Sequence, residues 1–339
     1  MKFILRTFLL FACLNVYAGK TLQIAAYGGE IPLQLIKKFE QQTGIKVHLT
    51  TFESNENLFL KLKSSRENLY DLITPSNYYV NRLKKFNMLE PLQKEKIQYL
   101  KDIEPSFFPK NTKALYGVPF VWGATGIFYN EQYIHHSPTH WSDLWSPQFN
   151  EKLLLIDDTR EVFSIALLAI GLSPNEFNQQ RIHEAYLKLQ QLTSNIKLFA
   201  SDALPSIITD EDAIIGMAWN GDINKVQKEN PHVKFVYPEE GFVIWAECFS
   251  IPKNARHIDE AYAFINFMLD PEHAAEITKT MHYPVTNPKA KQFLPYSLTI
   301  NPLLFPEKKV LQRGFLQQDA PEQIIQLYSN YWEQFKMSL

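Results

Sequence analysis

A chain of 339 residues, 45% hydrophobic and 21% charged, has room for two domains that each bury a core of their own. Its net charge of −2 offers no basic surface to nucleic acid, and no RNA- or DNA-binding motif or low-complexity tract is present. With only two cysteines, a disulfide-stapled scaffold is excluded.

Residues 1–18 read as a secretory leader. Lys2 and Arg6 give a positive start, residues 7–16 are largely apolar, and Val16-Tyr17-Ala18 fits a small-residue cleavage site. The apolar run is too short for a permanent bilayer span. Cleavage after Ala18 removes Lys2 and Arg6, takes the net charge from −2 to −4, and leaves Cys248 as the only cysteine. Cys13 is a poor lipid acceptor because bulky Phe11 stands shortly before it.

The predicted elements then follow in chain order. Residues 21–27 form a short apolar strand ending in Gly28-Gly29. Residues 33–42 place Leu33, Ile36 and Phe39 at helical spacing, stopped by Gly44. Residues 45–52 alternate as a strand, 57–65 carry Leu58, Phe59 and Leu62 on one helical face, and 71–74 form a third strand. Strand, helix, strand, helix, strand is the order of a mostly parallel sheet covered by helices. A helix over 79–87 follows Pro75-Ser76, and the polar, proline-bearing stretch 100–111 reads as a surface connection.

Residues 116–129 (YGVPFVWGATGIFY) form one long apolar run with Gly117, Pro119, Gly123 and Gly126 inside it, which suits a segment crossing between two lobes. In the second lobe, Leu153 to Ile156 reads as a strand buried on both faces. Asp157-Asp158 turns into a helix whose first turn carries Glu161. Two readings stand open at this turn. Ligands collect beyond the carboxyl ends of strands in open α/β sheets, and Asp158-Thr159-Arg160-Glu161 also fits a capping box. A helix over 181–192 and a strand over 213–219 follow. Residues 242–252 (FVIWAECFSIP) are a candidate return crossing. An amphipathic helix over 259–269, another from Pro271, a proline-rich stretch over 283–306 and a helix over 322–337 complete the chain.

The expected fold class is therefore α/β, with two discontinuous α/β lobes joined by crossing hinge segments. Residues 19–123 with 247–292 form the first lobe, and 124–246 with 293–339 the second. Hinge-closing binding proteins use this geometry.

Catalytic signatures are missing: no P-loop, GxSxG, HExxH or CxxC occurs. His135, His136 and His140 sit among prolines with no neighbouring acid or cysteine to complete a metal set, as in a solvated loop. Glu247-Cys248 juxtaposes a base and a thiol, the basis of an alternative thiol-dependent enzyme. Strand neighbours point to opposite faces, however, and a lone cysteine in an apolar strand is ordinarily core. Adjacent Tyr78-Tyr79 motivates a second alternative, a ferric-ion or other cation receptor of the same fold.

Several separated stretches, in order, carry a resemblance: TGIKV (43–47), FESNE (52–56), YDLITPSNYYV (70–80), VPFVWGATGI (118–127), LLLIDDTREVF (153–163), WNGD (219–222), YPEEGFVIWAE (237–247) and HYPVTN (282–287). Over nearly the whole mature length the chain resembles the spermidine/putrescine-binding periplasmic proteins of bacterial polyamine ABC importers. The resemblance implies the type II periplasmic binding protein fold, a periplasmic location, an inner-membrane ABC permease as partner, a monomer, and neither cofactor nor metal. It implies ligand-binding roles for Tyr27, Ser76, Tyr78, Asp158, Glu161, Trp219, Trp245, Glu247, Tyr283 and Gln317.

Those residue types suit a methylene chain punctuated by ammonium groups. A buried ammonium needs a carboxylate partner, and aromatic rings bury methylenes while offering π faces to the cations, worth roughly 0.5–2 kcal/mol each. Ordinary core packing is the competing role for each ring. This chain departs from the family pattern in two places. Tyr27-Gly28-Gly29-Glu30 stands where the family has Trp-Thr-Glu-Tyr or Trp-Ser-Asp-Tyr, so the aromatic is kept and the acid comes one residue later; and Glu247 replaces an aspartate.

Overall fold

The computed structural model describes residues 20–64, 69–108, 114–201 and 203–339, so the leader and Cys13 lie outside the described residues. β1 (Thr21–Tyr27) sends Leu22, Ile24 and Ala26 into a core and pairs in parallel with β2 (Lys46–Phe52) and β3 (Leu72–Ile73), in the order β2-β1-β3. α1 (Leu33–Thr43) ends at Gly44, whose φ of 72° lets its N–H return to Glu40 O. α2 (Asn55–Ser64) and α3 (Asn77–Lys85) follow β2 and β3.

β4 (Val118–Asn130) is the first crossing. Its Val118, Phe120 and Val121 belong to a core shared with β1 and α1, while Ile127 and Phe128 belong to a second core. Trp122 and Ala124 sit between, in a small cluster with Phe242 and Ala246. A single strand therefore enters both halves of the protein.

The second core is built on β5 (Leu153–Ile156), whose residues are buried on both faces as expected, and on α4 (Thr159–Ala169) and α5 (Gln179–Gln190). β6 (Ile196–Ala200), α6 (Leu204–Thr209), β7 (Ile215–Trp219), α7 (Asn220–Val226) and β8 (Val233–Val236) continue it. β9 (Phe242–Phe249) then returns antiparallel to β4, with Glu247 opposite Val121 and Trp245 opposite Gly123. The larger sheet runs β10-β9-β4-β7-β5-β6, with β8 pairing β4 and β10 being Gly314–Leu316. α8 (Ile258–Leu269) and α9 (Pro271–Met281) go back to the first core, where Phe264 and Phe267 meet Phe39 of α1 edge-on at 5.0 and 5.3 Å. The C-terminal helix (Glu322–Met337) closes the second core through Ile324, Tyr328 and Phe335.

β6, β8 and β10 were not expected from the sequence. Their side chains are mostly only half buried and Lys197 and Lys234 interrupt them, so neither an apolar run nor clean alternation marks them. In the stretch 100–111, the described residues 100–108 are also more than a surface connection. Ile103 and Phe107 are buried and the Glu104 N–H bonds Thr286 O at 3.1 Å, because short 3-10 turns direct these apolar side chains inward.

Candidate functional site

Strand ends of both halves deliver side chains to one cluster, the candidate cleft. Trp245 and Glu247 lie two residues apart on β9 and so share a face. Ser76, at the start of α3, donates its hydroxyl to Glu247 Oε1 at 2.9 Å, and the two residues also form an antiparallel bridge. Asn55 holds this corner: its Nδ2 donates to Ser76 Oγ at 2.9 Å and to the Tyr78 hydroxyl at 3.3 Å, and its Oδ1 accepts the Ser76 N–H at 3.1 Å. Tyr27, at the end of β1, packs on Phe52 at 4.4 Å, and its phenol is pushed up by burial first and then by the charge of Glu247.

From the second half, Asp158 caps α4, with its Oδ1 accepting the Glu161 N–H at 2.9 Å. Glu161 instead turns its carboxylate to Trp219 Nε1 at 3.5 Å, so the capping reading holds for Asp158 and not for Glu161. Trp219 meets Trp245 edge-on at 6.5 Å, and Trp245 meets Tyr283 at 5.3 Å. Trp245 lies over β4 because Gly123 leaves space there: a Cβ at Gly123 stands 2.2 Å from the indole. Gln317 is pinned by its backbone, its N–H on Ile244 O at 3.0 Å and its O accepting from Asn77 Nδ2 at 2.9 Å. All the residues implied by the resemblance except Gln317 are thus linked through direct contacts or shared electrostatics. Arg82–Glu322 at 2.6 Å and Lys85–Asp319 at 2.5 Å join α3 to the other half beside the cleft.

The electrostatics favour a cation. Burial, then the charge of Asp158, raises Glu161 to about 8, against smaller help for the carboxylate from Thr125 and Trp219. Asp158 is raised by burial, and Glu247 well raised by burial and then by Glu30. The charge of Arg160 acts on Asp158 and Glu161, while its Nη2 donates to Gln318 O at 3.3 Å. Glu161 Oε2, Glu247 Oε2, Trp245 Nε1 and Gln317 Nε2 are buried without a hydrogen-bond partner. Buried polar atoms are rarely left so. Here they are concentrated on the cleft. The phenols of Tyr27, Tyr78 and Tyr283 are all raised, foremost by burial, and stay neutral O–H groups.

Asn55 and Thr125 also belong to this region and were not among the expected residues, while Glu30, the acid that comes one residue later than in the family pattern, lies near enough for its charge to raise Glu247. Asn55 lies in the FESNE stretch and Thr125 between two glycines, and only the side-chain directions reveal their part. The other readings fare differently. Tyr79 meets the Tyr78 ring edge-on at 5.6 Å and packs in a core with Phe59, while the Tyr78 hydroxyl accepts from Asn55. Among the described residues no group of three His, Cys, Asp or Glu side chains is placed to hold a metal ion. His135 and His136 are exposed. Cys248 packs against Ala25, Phe52 and Val80, and burial drives its thiol up, the opposite of an activated nucleophile. Alkylation of Cys248 is expected to be slow in the folded protein and fast in denaturant; rapid labelling of the folded protein would contradict this placement.

Comparison with known proteins agrees with the fold. The profile of a family described as bacterial extracellular solute-binding protein matches residues 34–305. The spermidine/putrescine-binding periplasmic protein 1 of Haemophilus influenzae is 35% identical over 323 residues, covering 94% of this chain and 89% of that protein. A putative spermidine/putrescine ABC transporter structure from Listeria monocytogenes superposes with a TM-score of 0.88 at 31% identity, covering 94% of this chain and all of the other. The spermidine/putrescine ABC transporter substrate-binding protein of Streptococcus pneumoniae gives a TM-score of 0.83 at 32% identity, covering 94% and 99%. The two-lobed fold, the crossing strands and these matches place the chain in the bacterial extracellular solute-binding protein family, among the spermidine/putrescine-binding periplasmic proteins.

Proposed function

We propose that this protein is a periplasmic receptor that captures a polyamine, spermidine or putrescine, between two lobes and delivers it to an inner-membrane ABC permease without chemistry on the ligand. The observation that carries the reading is the meeting of Asp158, Glu161 and Glu247 with the rings of Trp219, Trp245 and Tyr283 in one cleft. The names of the relatives point the same way. Tyr27, Ser76, Tyr78 and Gln317 complete the proposed contacts. The protein acts as a monomer, entering the periplasm through a leader that is cleaved after Ala18.

The lobes are residues 19–123 with 247–292 and residues 124–246 with 293–339, and they close about β4 and β9. The Arg82–Glu322 and Lys85–Asp319 pairs span them. Pairs with one well-exposed partner contribute only about 0.2–1 kcal/mol each, so closure draws mainly on the ammonium–carboxylate contacts.

Thermal melting of protein stripped of ligand tests the reading. Putrescine, cadaverine, spermidine and spermine are compared, and a binder at 100 times its Kd adds roughly 2.7 kcal/mol. Flat curves across the panel would sink it. Glu247→Gln is expected to abolish most of the shift, since it removes a buried charge that faces the ligand; an unchanged shift would remove Glu247 from the site.

A further inference from the structure

Asn77, the first residue of α3, is half-buried and follows Ser76 and precedes Tyr78, two of the proposed contact residues. Its side chain reaches the point where β9 and β10 part. Those strands pair in parallel as far as Leu316 opposite Ile244, and the Gln317 N–H still reaches Ile244 O at 3.0 Å. The next rung of a parallel ladder would set the Ala246 N–H on Gln317 O. Here the strands have separated, and the Asn77 amide fills the gap. The Ala246 N–H donates to Asn77 Oδ1 at 3.1 Å, and Asn77 Nδ2 donates to Gln317 O at 2.9 Å. The setting fixes which amide atom is which, since the reverse would turn N–H on N–H and oxygen on oxygen.

Three parts of the molecule meet at that amide. α3 belongs to the first half: Tyr79, Val80 and Leu83 pack with Ala25 of β1 and Ile73 of β3, and Pro75 O accepts the Cys248 N–H at 2.9 Å. The chain beyond Gln317 belongs to the second half, where Ala320 and Ile324 join the core. Ala246 lies on β9 between Trp245 and Glu247, at the hinge. The carbonyl and one N–H of Asn77 are thus spent on backbone groups of two different strands. Arg82 and Lys85, later on the same helix, cross in the same direction to Glu322 and Asp319.

We infer that Asn77 is a positioning residue of the receptor: its amide supplies the missing rung between β9 and β10 when the lobes are closed, and so registers Ser76 and Tyr78 against Trp245 and Gln317. This assignment rests on the polyamine reading and its closure about β4 and β9. On opening, α3 stays with the C-terminal part of β9 through the Pro75–Cys248 bond and the Ser76–Glu247 bridge, while Gln317 leaves with the second core. The Nδ2 bond to Gln317 then breaks and the Ala246 bond is kept. Gln317 O finds water in the open form, whereas in the closed form an unpaired carbonyl pays its full desolvation cost. The rung consequently acts on the escape of the ligand and not on its entry, because the amine enters the open form.

Stopped-flow tryptophan fluorescence on ligand-stripped protein tests this with putrescine and spermidine, Trp219 and Trp245 being the reporters. Asn77→Leu keeps nearly the same shape and lacks both polar groups. It is expected to release each amine ~10-fold faster (about 1.4 kcal/mol), with association within about twofold of wild type and the amine-free melting temperature unchanged. The factor is the same for both amines, since the amide bonds backbone and not ligand. In roughly 1 M salt, where exposed ion pairs are screened, the ratio of variant to wild type persists because the rung is neutral. Asn77→Ala is expected to act in the same direction, and it carries the test should Asn77→Leu not fold, as judged by circular dichroism. A folded variant that releases amines at the wild-type rate, or whose loss falls on association or on amine-free melting instead, overturns the assignment while leaving the polyamine reading intact. A wild type that binds none of the amines overturns both.

Discussion

Raising the pH from about 5 to about 8 is expected to lower the melting temperature of the amine-free protein, and saturating polyamine is expected to abolish most of that fall. Glu161, Glu30 and Glu247 all contribute, their carboxyls raised foremost by burial. Burial, and then the charge of Asp158, moves the Glu161 carboxyl from 4.5 to about 8. Between those values the folded protein keeps a proton that the unfolded chain has released, so stability declines with pH. The contribution is fully present below the unfolded value and is lost as pH rises through the folded one. At roughly 1.36 kcal/mol per pH unit the span amounts to about 5 kcal/mol. Glu30, raised by burial, adds in the same direction. Carboxylates with lowered values, such as Glu40 and Glu131, act at more acidic pH and leave this window alone. An ammonium beside Glu161 restores its ordinary acidity and with it the stability at pH 8. Glu161→Gln is expected to make the pH profile shallower and to weaken polyamine binding at least ~100-fold, about 2.7 kcal/mol. Melting curves of wild type and variant across the range decide the matter, and a wild-type profile that does not slope downward would refute the account.

The second large effect is expected at a position with no polar atom in its side chain. Gly123→Ala places a Cβ 2.2 Å from Trp245 Cζ2 and 2.7 Å from Cε2, well inside any tolerated contact. β4 cannot retreat, because it pairs with β9 on one side and β7 on the other. The indole must move, and with it goes the ring that links Trp219 to Tyr283. Overpacking of this kind costs typically about 1–3 kcal/mol of stability. The loss in polyamine affinity is expected to be larger, about 100-fold. Gly28→Ala is the control, since a Cβ there meets nothing within 4 Å and the backbone angle is ordinary. Calorimetry reports the affinity and near-ultraviolet circular dichroism the displaced indole; Gly123→Ala binding like wild type would show that Trp245 does not set the cleft.

Much of this was legible in the chain itself, for reasons that differ by residue. Helical spacing located α1 and amphipathicity α8, whereas α4 was marked by an apolar run, since it is buried all round from Glu161 to Leu168. The apolar runs of β4 and β9 marked the crossings because a strand that serves two cores is covered on both faces. β6, β8 and β10 escaped because a half-exposed edge strand carries no strong pattern. The Asp158–Glu161 turn shows the limit well. Spacing offered a capping box for both acids, yet only Asp158 caps, because Trp219 approaches from β7 and draws the Glu161 carboxylate away.

The sequence alone determined that the chain is α/β, crosses twice between lobes and carries acids and aromatics at the carboxyl ends of its strands, since local periodicity and residue chemistry encode those features. The tertiary structure alone decided which oxygens are left unpaired, how Thr74 and Ser76 orient the carboxylates of Glu30 and Glu247, and why Gly123 must stay small beneath Trp245. Those facts depend on residues far apart in the chain meeting at hydrogen-bond or van der Waals distance. Side-chain direction there is set by the packing of whole elements, which no local window of sequence contains.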